Sequence, residues 1–373
     1  MGNIADRLST STTTTTLVAM PGRLLHLLAT NGRRGAETFA VGLAARLDVH
    51  GWESELLAIA AAGSGATVDV PVSGRGRTDP RGLATIAEAA RRADVIVAHG
   101  SSSLLVGAAV AVARRRPWVY RNIGDPAAWG QVRLAQARVG LPLRAATTVV
   151  TLYEEAGATL RARYRVSPHR IQVIPNAADP ARFAPPTPAQ RRAMRGELDL
   201  DERPWVLWIG ALSPEKRPLL ALDLVAGLPD VGLVLVGDGP LRAEVAAAAR
   251  RPDLHGRVRL LGPLADPSPA YKAADLLLMT SRTEGMPAVA IEAAMCGLAI
   301  VAPPVGALPQ IVATAGAGTV APDSSLGAAL ASTLLAPVPV DRAAVAARYA
   351  WPEVTARWDR VLVDAAAERR EAP

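Results

Sequence analysis

Trp205-Val206-Leu207-Trp208-Ile209-Gly210-Ala211-Leu212-Ser213-Pro214-Glu215-Lys216-Arg217-Pro218 begins as a short apolar run, stops at a glycine, and passes a lysine on the way into a helical-period segment. A short apolar run bounded by turn residues reads as a buried strand, and a helical pattern directly after it makes half of a βαβ unit. The alternation continues outward on both sides. Downstream, strands are expected at Gly232–Val236, Val258–Leu261, Leu276–Met279 and Ala299–Ala302, with helices near 216–227, 240–251, 268–274 and 287–297. Upstream, strands are expected at Arg23–Ala29, Glu55–Ala60, Val95–Ala98, Trp118–Tyr120, Thr148–Thr151 and Ile171–Ile174. Phe39, Leu43 and Leu47 recur at helical spacing between the first pair, marking a helix that begins after Gly35. The stretch from Pro175 to Gln190, with Pro175, Pro180, Pro185, Pro186 and Pro188, resists regular structure and suits a linker. The fold class is therefore α/β, two facing Rossmann-like domains across an interdomain cleft, residues 21–180 and 181–350, with amphipathic residues 351–368 crossing back onto the first.

A chain of 373 residues is long enough for two domains that each bury a core. Half of it is apolar, yet no run approaches the roughly 20 apolar residues that span a bilayer, and a cytoplasmic chain is expected. Residues 1–20, with Thr12 to Thr16 uninterrupted, lack a secretory pattern and read as a disordered leader. Cys296 is the only cysteine and the five histidines show no ligand spacing, so no disulfide, metal or cofactor is expected. Residues 1–180 hold 21 arginines against 13 acids, and the remainder 20 basic against 21 acidic residues. Anionic lipid or an acidic acceptor would use that asymmetry, giving peripheral membrane contact; an arginine-rich composition would produce it with no partner. Nucleic acid is disfavoured, because the arginines are dispersed and few aromatics accompany them.

The densest chemistry lies at Glu284-Gly285-Met286-Pro287-Ala288-Val289-Ala290-Ile291-Glu292. Pro287 suits the start of a helix, which puts Glu284 in the preceding loop and Glu292 about one and a half turns in. The N–H groups of Gly285 to Val289 would then meet an anion such as a diphosphate, with one carboxylate reaching a sugar and the other a ribose diol. Glu292 sits in an apolar run, where an ionised side chain needs a partner to offset desolvation. The plainer reading makes Glu284 a solvated loop acid and Glu292 a complement to the helix dipole. Lys216 is one of only two lysines among 41 basic residues, so a compact ammonium stands where arginine is the default; this points to phosphate contact. Gly35 and Gly210 would let backbone approach a ligand, His99 ends a strand near the cleft, and Arg121, Asn122 and Asp125 follow another as acceptor-side candidates. Val236-Gly237-Asp238-Gly239 lacks the third glycine of a dinucleotide fingerprint and reads as a tight turn, which removes a nicotinamide oxidoreductase.

In order and spacing, these segments resemble the retaining family-four glycosyltransferases of GT-B architecture. They are the Gly35 helix start, Val173-Ile174-Pro175-Asn176 through Asp179, Gly210 to Lys216, Val236 to Leu241, and Glu284 to Glu292 running on to Gly297. The resemblance implies transfer of a sugar from a nucleoside-diphosphate donor to a hydroxyl acceptor; the arginine excess suits a lipid-linked or acidic one, and the Cys and His pattern a metal-independent reaction. It assigns Lys216 to the diphosphate, Glu284 to the donor sugar and Glu292 to the ribose. Gly285, Met286, Pro287 and Ala288 would line phosphate and sugar; Gly35 would approach the phosphate, His99 the sugar, and Leu261 and Gly262 the base. Family members commonly carry arginine where this chain has Ala211; Arg217 is the expected substitute. The alternative reading is a non-catalytic or partner-dependent sugar-nucleotide-binding subunit.

Overall fold

The computed structural model describes residues 22–63, 65–129 and 133–371, so the Ser/Thr-rich leader lies outside the described residues. Two six-stranded sheets organise the chain. The first holds β1 (Gly22–Thr30), β2 (Trp52–Ala60), β3 (Val95–His99), β4 (Trp118–Arg121), β5 (Thr148–Thr151) and β6 (Ile171–Val173), in the order β2-β1-β3-β4-β5-β6. The second holds β7 (Trp205–Ile209), β8 (Gly232–Val236), β9 (Val258–Gly262), β10 (Leu276–Leu278), β11 (Ala299–Ala302) and β12 (Gly318–Val320), in the order β12-β11-β10-β7-β8-β9. Every pairing is parallel, as helical crossovers require, and the inner strands are buried on both faces. In each sheet the connections reverse direction beside the first strand, between β1 and β3 and between β7 and β10.

A strand is present at every position expected from the sequence; Thr148–Thr151, Trp205–Ile209, Gly232–Val236 and Ala299–Ala302 keep the expected bounds, the other ends move by at most three residues, and β12 adds one that was not expected. Its three residues carry no readable period, and Gly318 is needed because a Cβ there would stand 2.1 Å from the Ile300 carbonyl oxygen. Pro188 opens the Pro188–Glu197 helix instead of closing the linker: Thr187 and Gln190 form a capping box around it, and a proline tolerates the first helical position. The Trp351–Glu371 helix returns to the first sheet. There Val354, Trp358, Leu362 and Ala365 share a core with Leu24, Phe39, Leu43 and Val97, and Trp52 Nε1 donates to Asp359 Oδ1 at 2.8 Å. The domains are also joined by apolar packing, because Leu152, Tyr153 and Ala156 belong to the same cluster as Phe183, Met286 and Ile291.

Candidate functional site

Open parallel sheets bind ligands outside the carboxyl ends of their strands, where the connections reverse. A cavity of about 190 Å³ opens at this point of the second sheet. Trp208 to Gly210 and Lys216 line it from the end of β7, and Leu278 to Ser281 with Glu284 from the end of β10. Pro287, Ala288 and Val289 form a third side, and Gly35 closes it from the first domain. A Cβ on Gly35 would meet nothing within 4 Å, so the glycine leaves space open where a side chain would fill it. A larger cavity, about 230 Å³, lies at the opposite end of the first sheet between Arg23, Glu53, Glu55 and Arg92. Its charges already pair with one another, Arg23 with Glu53 at 3.0 Å and Arg92 with Glu55 at 3.2 Å.

Lys216 and Glu284 meet in the cavity wall, Nζ to Oε1 at 2.6 Å, with 27% of the lysine side chain and 7% of the glutamate side chain exposed. Thr280 anchors the backbone beneath them. Its hydroxyl accepts from Trp208 Nε1 at 2.9 Å and lies 2.8 Å from the Lys216 carbonyl oxygen, so β7, β10 and the lysine loop are tied at one atom. The Gly210 loop rests on the Val236–Gly239 turn so closely that a Cβ on Gly237, at φ +140, would stand 1.8 Å from the Gly210 carbonyl oxygen. That turn is a backbone support, in agreement with its reading as a tight turn.

Pro287 is the N-cap of the Ala288–Met295 helix, one residue earlier than the first helical turn. The first N–H groups of a helix have no intrahelical acceptor, and Ala288 and Val289 bring them to the cavity. Glu292 has found a partner that the sequence did not indicate: Tyr271 donates its hydroxyl to Oε2 at 2.7 Å. Burial raises the Glu292 carboxyl above the ordinary range, and the Tyr271 hydrogen bond opposes that rise. Periodicity places Tyr271 on a core face and is silent about its hydroxyl.

Several expected site residues stand elsewhere. His99 is 2% exposed and is not among the residues that line the cavity; its Nε2 meets His26 Nδ1 at 3.0 Å and its ring stacks toward Trp358 of the returning helix. Arg217 does not replace the missing arginine, because its guanidinium is held by both oxygens of Asp323 and by the Thr280 carbonyl. Arg121 and Asn122 are each 1% exposed, inside the first domain. Asn122 donates to the Gly124 carbonyl at 3.1 Å, and Asp125 caps the Pro126–Ala128 turn through Ala127 N–H at 2.8 Å. Met286 is buried in the core, Gly285 faces Ile123, and Leu261 and Gly262 end β9, where the Gly262 carbonyl accepts from Gly237 N–H at 2.9 Å. Among the described residues no group of three or more His, Cys, Asp or Glu is placed to hold a metal ion, and no helix is long and apolar enough to cross a membrane.

Two family models fit this architecture, one to each domain. Residues 33–182 match the model described as Glycosyltransferase Family 4, and residues 203–336 the one described as Glycosyl transferases group 1. The chain belongs to the family-four glycosyltransferases of GT-B architecture. Among curated relatives it is 35% identical over 173 residues to a 2-deoxystreptamine glucosyltransferase of Streptomyces kanamyceticus, covering 44% of this chain and 45% of that one. It is 33% identical over 229 residues to a D-inositol 3-phosphate glycosyltransferase of Mycolicibacterium paratuberculosis, covering 56% and 51%. The chain thus spans about half the length or less of the curated relatives it matches. Among solved structures, Anabaena HepE in complex with UDP and glucose superposes with a TM-score of 0.78 at 22% identity, over 92% of this chain and 99% of that one. Sucrose-phosphate synthase from Thermosynechococcus elongatus gives 0.75 at 19% identity, over 93% and 100%. At those identities the superpositions establish the shared two-domain fold.

Proposed function

We propose that this glycosyltransferase moves a sugar from a nucleoside-diphosphate donor to a hydroxyl acceptor, with retention of anomeric configuration and without a metal. The observation that carries the reading is the cavity at the switch point of the second sheet, where one ammonium, the first turn of a helix and an open glycine converge. As the sugar–phosphate bond opens, negative charge gathers on the diphosphate. Lys216 and the N–H groups of Ala288 and Val289 are the groups positioned to receive it. Glu284 accepts from the lysine at 2.6 Å. Donor binding would exchange that contact: the ammonium turns to phosphate and the freed carboxylate takes a hydroxyl of the sugar. Glu292 would meet the ribose while retaining Tyr271. The departing phosphate would help accept the acceptor proton, so Glu284 is not assigned as a nucleophile.

HepE was solved with UDP, which supports a nucleoside diphosphate as the leaving group here. The arginine excess of the first 180 residues supports an anionic acceptor or peripheral contact with an anionic bilayer; failure to float with anionic vesicles at physiological salt would count against the bilayer. A donor-binding subunit without turnover is favoured by one observation, that Ala211 removes a cation and Arg217 is engaged elsewhere. The two readings separate on nucleotide release. Nucleoside diphosphate liberated from a nucleotide sugar in an acceptor mixture supports the transferase, whereas tight donor binding with no release in any mixture supports the subunit.

A further inference from the structure

A line of polar contacts runs between the two walls of the cavity and serves none of the roles assigned above. Arg121, at the end of β4, lies over the Phe39 ring, 3.8 Å from its centroid, and donates from Nη2 to Asn176 Oδ1. Asn176 belongs to the linker. Its Nδ2 donates to the Met286 carbonyl oxygen at 2.6 Å, and its backbone N–H reaches Met286 Sδ at 3.3 Å. Met286 directly precedes Pro287, the N-cap of the helix that faces the cavity. In the other direction, the Phe39 ring beneath Arg121 belongs to the helix that begins at Gly35, which also carries Glu37, 6% exposed.

We infer that Asn176 is a positioning residue, backed by Arg121, that fixes the direction in which the Ala288–Met295 helix presents its N-terminus and holds the first domain against it. The amide is suited to this because it accepts on one side and donates on the other, which neither a carboxylate nor an alkyl group can do. The Arg121 guanidinium is buried, 1% exposed, and its direction is set by the Phe39 ring on one face and Asn176 Oδ1 at Nη2. The tolerance is small. A Cβ on Gly285 would stand 2.1 Å from the Ile123 carbonyl oxygen, so the two domains touch backbone to backbone one residue from Met286. A helix N-terminus displaced by about 1 Å loses its aim at a phosphate.

The inference rests on the donor reading of the cavity, and the test separates the two. Asn176→Asp keeps an acceptor for Arg121 and sets a carboxylate oxygen against the Met286 carbonyl. Calorimetric titration with UDP, GDP, ADP and dTDP and with their parent nucleosides is combined with small-angle scattering of the ligand-free chain. The expected result is a cooperatively folded variant with a larger radius of gyration than the wild type. Its affinity for the preferred diphosphate falls tenfold or more, while affinity for the nucleoside changes little. A role in stability alone would lower the melting temperature and leave the diphosphate-to-nucleoside ratio in place. Wild-type radius and wild-type ratio in folded Asn176→Asp overturn the inference. If that variant does not fold, Arg121→Lys, which keeps the charge and loses the planar fork, carries the same test. If no diphosphate binds the wild type, the donor reading fails and the scattering comparison alone decides whether the strut holds the domains.

Discussion

Strand ends in the two domains treat their polar residues in opposite ways. After β7 and β10, Lys216 and Glu284 are carried on loops and turned into a cavity, with 27% of the lysine side chain still exposed. At the ends of β3 and β4, His99 and Arg121 are sealed inside the fold at 2% and 1% exposure. The difference has a structural cause: the returning helix packs on the first sheet and sets Trp358 against His99, while the ends of β7 and β10 carry no such cover. The same backbone position therefore supplies chemistry in one domain and scaffolding in the other.

Removing the cover is the harshest way to break this comparison. Trp358→Ala empties a fully buried site and is expected to cost about 3–5 kcal/mol in chemical denaturation; a loss below about 1 kcal/mol would mean that the helix does not hold the first domain together. Lys216→Ala is expected to lower donor turnover roughly 10²–10³-fold, the range for one charge-stabilising donor. Its melting temperature should fall as well, since Glu284, 7% exposed, loses the ammonium that pairs it, so turnover is compared at a temperature where the variant is fully folded. Unchanged turnover would remove Lys216 from the mechanism. Tyr271→Phe leaves the Glu292 carboxylate without its hydroxyl and is expected to cost about 1–3 kcal/mol; a neutral effect would show that Glu292 is solvated.

The smallest expected effect is a pH dependence. Burial depresses both histidines, His26 from the ordinary 6.5 to about 4 and His99 well below 6.5. A group whose pKa is lower in the folded chain takes up its proton first in the unfolded chain, so stability is complete above pH 6.5 and falls as the pH drops toward 4. His26→Asn should flatten that limb of the melting-temperature profile. An unaltered slope would place the acid sensitivity elsewhere.

What the sequence discloses follows the same division. Gly210, Pro287 and the apolar runs around them mark strand ends and helix starts, which are backbone events with local causes, and they placed the cavity-facing loops correctly. The surroundings of His99 and Arg217 are not legible, because side-chain direction depends on residues far along the chain, Trp358 for the first and Asp323 for the second. Tyr271 and Asn176 were missed as functional groups for the same reason: one hydroxyl and one amide acquire meaning only when Glu292 and Met286 arrive beside them. Thr280 joins three segments through one oxygen that no spacing could single out.

Titration of UDP, GDP, ADP and dTDP into the wild type and into Gly35→Leu tests the central claim most directly. A Cβ on Gly35 would meet nothing within 4 Å and Gly35 lines the cavity, so leucine should fold without strain while filling it. The account predicts that one diphosphate binds the wild type and that Gly35→Leu, with an unchanged melting temperature, loses that binding. Wild-type affinity in the leucine variant would place the donor somewhere other than this cavity.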